Sequence, residues 1–473
     1  MNALDPSKSI FLQSDIENFT QYKFSMNEDL AGGNLRPAFS IGNRYLEAAK
    51  KQVRYMQSVL ASSPKFEGQI GNSETVSVPP KMANWPVNNL ERENRWNLIL
   101  QSYAETIKNN GAENGTVNSI LVGELVRDKS RLESFTGEDI FNIYMNSVAK
   151  SFDSHSAYIS PESSQLVDEN LYTTINEKPY ELGSASKRTL IASGVVTGHV
   201  SQVASGGRSY KVGVISIPSF YFDPYDIDDG NSVTKDVRQA LLDLSKQGIE
   251  GLILDLRGNP GGALAQAVRV SGMFIGDNPV VTVRDSRNRQ ETQKSLNNKK
   301  VEKNLPLVVL VDRVSAGASE IFAGAMQDYG RAIIVGGQTF GLGTAQAIQP
   351  LNYGELKVTV AQYYRVSGEG FQKKGITPDI QFPNAYDQYE LGEEALSNPL
   401  PWNSTKAALY SPVMNVNAYL ERLNEGHKKR VADNPVFTQK DYFQQYKYLP
   451  PHSDEFLKEG EMILADLIRL SGE

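Results

Sequence analysis

The sequence predicts an α/β core built of parallel βαβ units, flanked by mostly α-helical N- and C-terminal regions. Strand-length apolar runs alternate with amphipathic helices across residues 211–384, whereas either side of that span shows helical periodicity without such runs. At 473 residues the chain is too long for one hydrophobic core and long enough for two or three domains.

Taken in order, residues 1–165 read as a helical domain. Ile41, Tyr45, Ala48, Ala49, Met56, Val59 and Leu60 share one helix face, and a second periodic stretch runs from Trp96 to Ile107. Pro79, Pro80 and Pro86 mark a loop between them. A third helix starts near Gly137 and carries Ile140, Ile143, Tyr144 and Val148. Residues 166–210 are rich in Ser, Gly and Thr and read as a connector with a few strands, among them Leu190–Ile191 and Gly194 to Val200.

The core follows over 211–384. Val212 to Ile217 is a strand, and Val233, Val237, Ala240, Leu241 and Leu244 form a helix face. Leu252 to Leu256 and Leu307 to Val311 are near-continuous apolar strands, as expected where both faces are buried. Helices over Ala263 to Phe274 and Ala318 to Tyr329 alternate with them, then a strand at Ala332 to Val335. Val358 to Val360 and Gln362 to Val366 read as antiparallel additions. Residues 385–473 return to helical, polar patterning and are expected to pack beside the first domain.

Composition narrows the function. A net charge of −7 with interspersed signs argues against nucleic acid as the main partner, because phosphate binding needs a concentrated basic face. No apolar run approaches the roughly 20 residues of an integral membrane segment. With no cysteine there is no disulfide, thiolate nucleophile or Cys-ligated metal, and the four histidines are scattered, so no metal is expected. The N-terminus lacks a secretion-signal pattern, and the chain is expected to be a truncated or processed form.

Three glycine-rich turns follow buried strands, where α/β proteins place ligands. Asp255 to Gly262 reads either as a tight strand-to-helix turn or as backbone N–H groups facing a developing oxyanion. Asp312 to Glu320 leads into a helix, and Ser315 with Glu320 reads as capping chemistry. Gly336 to Gln346 lacks the third glycine of a dinucleotide loop and the Gly-Lys-Thr/Ser of a phosphate loop, so no cofactor is expected. No Gly-x-Ser-x-Gly nucleophile turn occurs.

These segments together resemble the tail-specific (C-terminal processing) serine proteases. Leu4-Asp5-Pro6-Ser7-Lys8-Ser9, Tyr158-Ile159-Ser160-Pro161, the 255–262 turn, Met326-Gln327-Asp328-Tyr329-Gly330, Lys374-Gly375-Ile376-Thr377-Pro378-Asp379 and Leu400-Pro401-Trp402 carry the resemblance, which covers nearly the whole chain. It implies a Ser–Lys dyad, in which a neutral lysine takes the serine proton. The family's Ser-Ala-Ser-Ala-Ser-Glu is here Ser315-Ala316-Gly317-Ala318-Ser319-Glu320, with Gly317 at the nucleophile. Its Phe-Gly-Lys-Gly-Thr is Phe340-Gly341-Leu342-Gly343-Thr344, with Leu342 at the base. Gln346 remains at the lysine-orienting glutamine, and Gly262 and Ala318 match the oxyanion-hole positions. Ser315 is the possible substitute nucleophile, since Ser319 lies roughly 200° around the helix.

The resemblance also implies a PDZ domain after Pro161. Only about 50 residues separate Pro161 from Val212, at the lower limit for an independent domain, so the connector stands in its place. The expectation is a catalytically inactive homologue acting as a peptide- or protein-binding or scaffold protein, periplasmic by family resemblance. The alternatives are an active endopeptidase with a relocated nucleophile, or a deliberately inactivated form.

Overall fold

A computed structural model describes residues 1–62, 84–109, 111–113, 116–163, 195–222, 232–295, 305–383, 391–438 and 454–472. Pro79, Pro80, residues 166–194 of the expected connector and His452 lie outside the described residues. The chain divides into two compact units, Met1–Ala149 and Lys150–Glu473. The architecture is a mixed, largely parallel sheet with helices, a helical N-terminal region and C-terminal helices.

In the first unit, α1 (Gln13–Phe19) and α2 (Met26–Gly32) precede α3 (Arg36–Ala61), α4 (Asn89–Asn109), α5 (Val117–Glu133) and α6 (Gly137–Phe152), whose last turn enters the second unit. Met56 and Leu60 of α3, Trp96, Ile99 and Leu100 of α4, and Leu121 and Leu125 of α5 form one core. Periodicity at 3.6 residues brings these positions to one side of each helix. Ahead of α1, the buried Asp5 carboxylate accepts the backbone N–H groups of Ser9 at 2.9 Å, Ile10 at 2.8 Å and Phe11 at 3.0 Å. Trp96 Nε1 donates to Ser9 O at 2.7 Å, so the Leu-Asp-Pro-Ser segment is a knot that anchors the N-terminus on α4.

The second unit holds two sheets. The first contains β1 (Ala157–Ile159), β5 (Pro279–Asp285), β6 (Gln290–Lys294), β9 (Thr344–Pro350) and β10 (Glu355–Tyr364), all antiparallel. The second runs β11-β8-β7-β4-β3-β2, from β2 (Thr197–Ser205), β3 (Arg208–Ser216), β4 (Gly251–Asp255), β7 (Leu307–Val311), β8 (Ile333–Gly336) and β11 (Ile380–Gln381). All its pairs are parallel except β2 with β3. The β2–β3 hairpin starts within the segment read as a connector, so that segment supplies the outer strand of the core sheet.

Alternating residues of each central strand reach opposite faces. Leu252 and Leu254 join the core under α7 (Val233–Lys246), α8 (Leu264–Ile275) and α9 (Ala318–Asp328); Ile253 joins the other core. That second core is closed by α10 (Leu420–Val431), the short α11 (Pro435–Thr438) and α12 (Glu455–Gly472). Sequence reading expected the C-terminal region to pack beside the first domain. The apolar face of α12 is instead covered by the core sheet, with Ile463, Leu464 and Leu467 fully buried beside Ile253, Val308 and Leu310. A Cβ on Gly460 would stand 3.1 Å from Leu310, which is how closely the helix lies. Among the described residues no helix is long and apolar enough to cross a membrane.

Candidate active site

Three turns leave the C-terminal ends of the neighbouring strands β4, β7 and β8, so the sheet order itself sets them side by side. Asn259 folds the first. Its Oδ1 accepts Gly261 N at 2.9 Å, its Nδ2 donates to Ile217 O at 2.7 Å, and its carbonyl accepts Ala316 N at 3.1 Å from the second turn. The second is shaped by Asp312, which accepts the N–H groups of Gly258, Val314 and Ser315, each at 3.0 Å. Burial pushes the Asp312 carboxyl up, opposed by those bonds. The third turn is tied to the second where Phe340 N donates to Ser315 O at 3.0 Å.

Gly317 is the N-cap of α9, with φ 51° and ψ −107°, a left-handed conformation that a side chain adopts only under strain. A Cβ placed there would stand 3.6 Å from Leu342 Cδ2. The fold therefore brings together the two positions 25 residues apart that the sequence singled out. Leu342 packs with Ala316 and Phe340, and Leu396 borders them, so the wall opposite Gly317 is apolar.

One carboxylate holds both positions. Glu320, fully buried, accepts Gly317 N at 2.8 Å, Gly341 N at 2.6 Å, Leu342 N at 2.9 Å and the Thr339 hydroxyl at 2.6 Å. Burial pushes its pKa up to about 7, while the four donors pull the other way. The expected capping at this turn is present, but its partners are Glu320 and Gly317.

Ser315 is fully buried. Its Oγ lies 2.8 Å from Leu256 O and 3.0 Å from Asp312 N, so the hydroxyl donates to the first and accepts from the second. Ser319 Oγ donates to Asn259 O at 3.1 Å. Gly262 and Ala318 lie at the junction of the first two turns: a Cβ on Gly261 would stand 3.2 Å from Ala318 N, and Gly262 pairs with Phe220 as an isolated bridge. Among the described residues neither the Gly262 nor the Ala318 amide donates a hydrogen bond. Gln346 sits on β9 opposite Thr359 of β10, and its Nε2 donates to Thr344 Oγ1 at 2.8 Å and Thr359 Oγ1 at 3.3 Å.

Sequence reading took Glu320 only as a capping group and missed the other supports. Glu320 stands three residues after its cap, the spacing of a capping box, and that was its one local signal. A longer relay gave none. His155 Nε2 lies 2.7 Å from Glu393 Oε2, Gln372 Nε2 donates to Glu393 Oε1 at 2.6 Å, and Gly343 N donates to Gln372 Oε1 at 3.0 Å. Its members are scattered along the chain. Among the described residues no three His, Asp or Glu side chains group as metal ligands would.

Residues 211–382 match peptidase family S41, residues 1–162 the tail specific protease N-terminal domain, and residues 386–448 the C-terminal domain of tail specific protease. The chain is 31% identical over 522 residues to a tail-specific protease of Haemophilus influenzae, covering 92% of this chain and 73% of that one. The matched span exceeds the 473 residues of this chain, so the relative carries residues inside it that have no counterpart here. A chloroplastic C-terminal processing peptidase of Tetradesmus obliquus is 35% identical over 177 residues, 37% of this chain and 36% of that protein. Among solved structures, the photosystem II D1 C-terminal processing protease is similar at 32% identity and a TM-score of 0.35, over 40% of this chain and 48% of that one. The chain is a homologue of the family S41 peptidases, and within that family it belongs to the tail-specific proteases.

Proposed function

We propose that this chain is a catalytically inactive member of that family which binds peptide or protein segments, or scaffolds them, in a periplasmic setting. The observation that carries the reading is the pairing of Gly317 with Leu342. The positions of nucleophile and base lie within van der Waals reach, yet one offers no oxygen and the other no amine. Acyl transfer needs a nucleophile and a matched base.

The nearby hydroxyls do not fill the gap. Ser315 and Ser319 are buried and bonded to backbone of the first turn, so neither is aimed at an incoming carbonyl. The amides of Gly262 and Ala318 remain as donors for a peptide carbonyl, which supports binding without turnover. The Haemophilus protein carries residues without a counterpart here, and residues 163–210 lie between two matched regions, which fits the short connector expected in place of the PDZ clamp. Deliberate inactivation fits less well, since alanine is the ordinary choice and glycine with leucine is not.

Incubation with an unfolded protein substrate tests the reading. The substrate is expected to stay intact over many hours, with weak, saturable binding of carboxyl-terminal peptides by calorimetry. Cleavage that Ser315→Ala abolishes would favour the relocated nucleophile. Absence of binding at millimolar peptide would remove the cleft from the account.

A further inference from the structure

Edge strands expose unpaired N–H and C=O groups, and folded proteins blunt them with brevity, charge, proline or bulges. Most edges in this unit follow that rule. β11 has two residues and β1 three; β6 carries Glu291 and Lys294; β9 faces a register break between Thr359 and Ala361 and ends on Pro350. β2 does not. It pairs with β3 through nine consecutive residue pairs without a bulge, and Thr197 to Ser205 contains no Asp, Glu, Lys, Arg or Pro. Its N-terminal half is exposed.

Beside that half, β2 and α7 frame an open cavity of about 280 Å³, lined by Val196, Gly198, Asp236, Ala240, Asp243 and Leu244 among others. Gly198 leaves the floor open: a Cβ there would meet Ala240 and Leu244 at 3.6 and 3.7 Å, ordinary contact distances. Val196, Ala240 and Leu244 are apolar, while the rim carries two carboxylates two helical turns apart, Asp236, which accepts the Tyr221 hydroxyl, and Asp243, which is paired with the exposed Lys246.

The geometry points to a second binding site, at which an extended peptide carrying basic side chains adds to the edge of β2 that has no strand partner among the described residues. Backbone hydrogen bonds supply the attachment. Every second side chain enters the β2–α7 groove, and basic groups reach Asp236 and Asp243. A second copy of this chain is a poorer occupant, because antiparallel pairing of two β2 edges would set two acidic rims beside each other and leave both grooves unfilled.

The probe is a fluorescein-labelled octapeptide of alternating Lys and Val, added to the full chain. Saturable anisotropy is expected, with amide exchange slowed over residues 197–205. Gly198→Leu, which fills the groove, and Gln202→Lys, which charges an exposed edge position, each weaken binding at least tenfold. A Glu-Val octapeptide and a fully N-methylated Lys-Val octapeptide lose at least as much. Equal binding by the N-methylated peptide, or none at millimolar concentration, overturns the site. So does protection over 317–343 in place of 197–205, which would assign the peptide to the cleft of the proposed function. Protection of 197–205 that grows with protein concentration without peptide overturns it in favour of self-pairing.

Discussion

The Leu342 side chain packs with Ala316 and Phe340 while its backbone N–H is held by the buried Glu320 carboxylate, and this bears on what a serine at 317 and a lysine at 342 would do. Leu342→Lys alone buries an ammonium among Ala316 and Phe340, and its expected effect is a loss of about 3 kcal/mol, read as a lower denaturation midpoint at neutral pH. Gly317→Ser adds a side chain in the left-handed region at about 1–3 kcal/mol. The double variant is expected to cleave an unfolded substrate at best slowly, since its lysine must also lose a proton near neutrality. Turnover like that of an active family member would show that the cleft is still poised. Glu320 gives a pH signature. Its folded pKa of about 7 lies above the ordinary 4.5, so its stabilising contribution is complete below about pH 4.5 and lost as pH rises through 7. Denaturation of the native chain and of Glu320→Gln at pH 5 and pH 9 measures this. The native chain should lose up to about 3 kcal/mol more than the variant over that interval.

At the scale of elements, the clearest test is α12, whose seat on the sheet rests on full burial of Leu464. Leu464→Ala is expected to destabilise the second unit by about 3 kcal/mol, measured by urea denaturation, with no change in the first unit. The elements legible in advance were those with one dominant pattern. β4 and β7 show as near-continuous apolar runs because both faces are covered, and α7 shows as a helix face ending at Leu244. β6 escaped notice because Gln290–Lys294 is polar throughout, and β9 because its residues are only half-buried. α5 was missed although Val117, Leu121 and Leu125 recur at helical spacing, since Val122 and Val126 on its exposed side blur the stripe. Of the candidate site, the sequence motifs named Gly262, Ser315, Gly317, Ala318, Leu342 and Gln346; the bonds from Glu320 to Gly341 and Leu342 and from Asp312 to Gly258 span loops that no local pattern connects.

For the whole molecule, two units with separate cores predict two unfolding events. Trp85 and Trp96 belong to the first unit and Trp402 to the second. In Trp402→Phe the remaining fluorescence reports the first unit alone. On heating, its change is expected to separate from the loss of far-ultraviolet ellipticity, and Leu464→Ala should move only the second event. Coincident transitions in both probes would mean that the units unfold as one.

The close backbone approaches around the cleft bear on how this chain can drift. A Cβ on Gly262 would stand 2.5 Å from the Phe220 carbonyl oxygen, and one on Gly343 would overlap Gln372 N. Backbone cannot swing aside as a side chain does, so neither position accepts replacement. At 342 the neighbours are side chains, and change is met by repacking, whereas at 317 it is the left-handed backbone that opposes a side chain. In a saturation library selected only for folding, positions 262 and 343 should return glycine almost alone, while 342 returns several apolar residues. Under such selection the close-packed backbone of the turns is held far more tightly than the side chains that face across it.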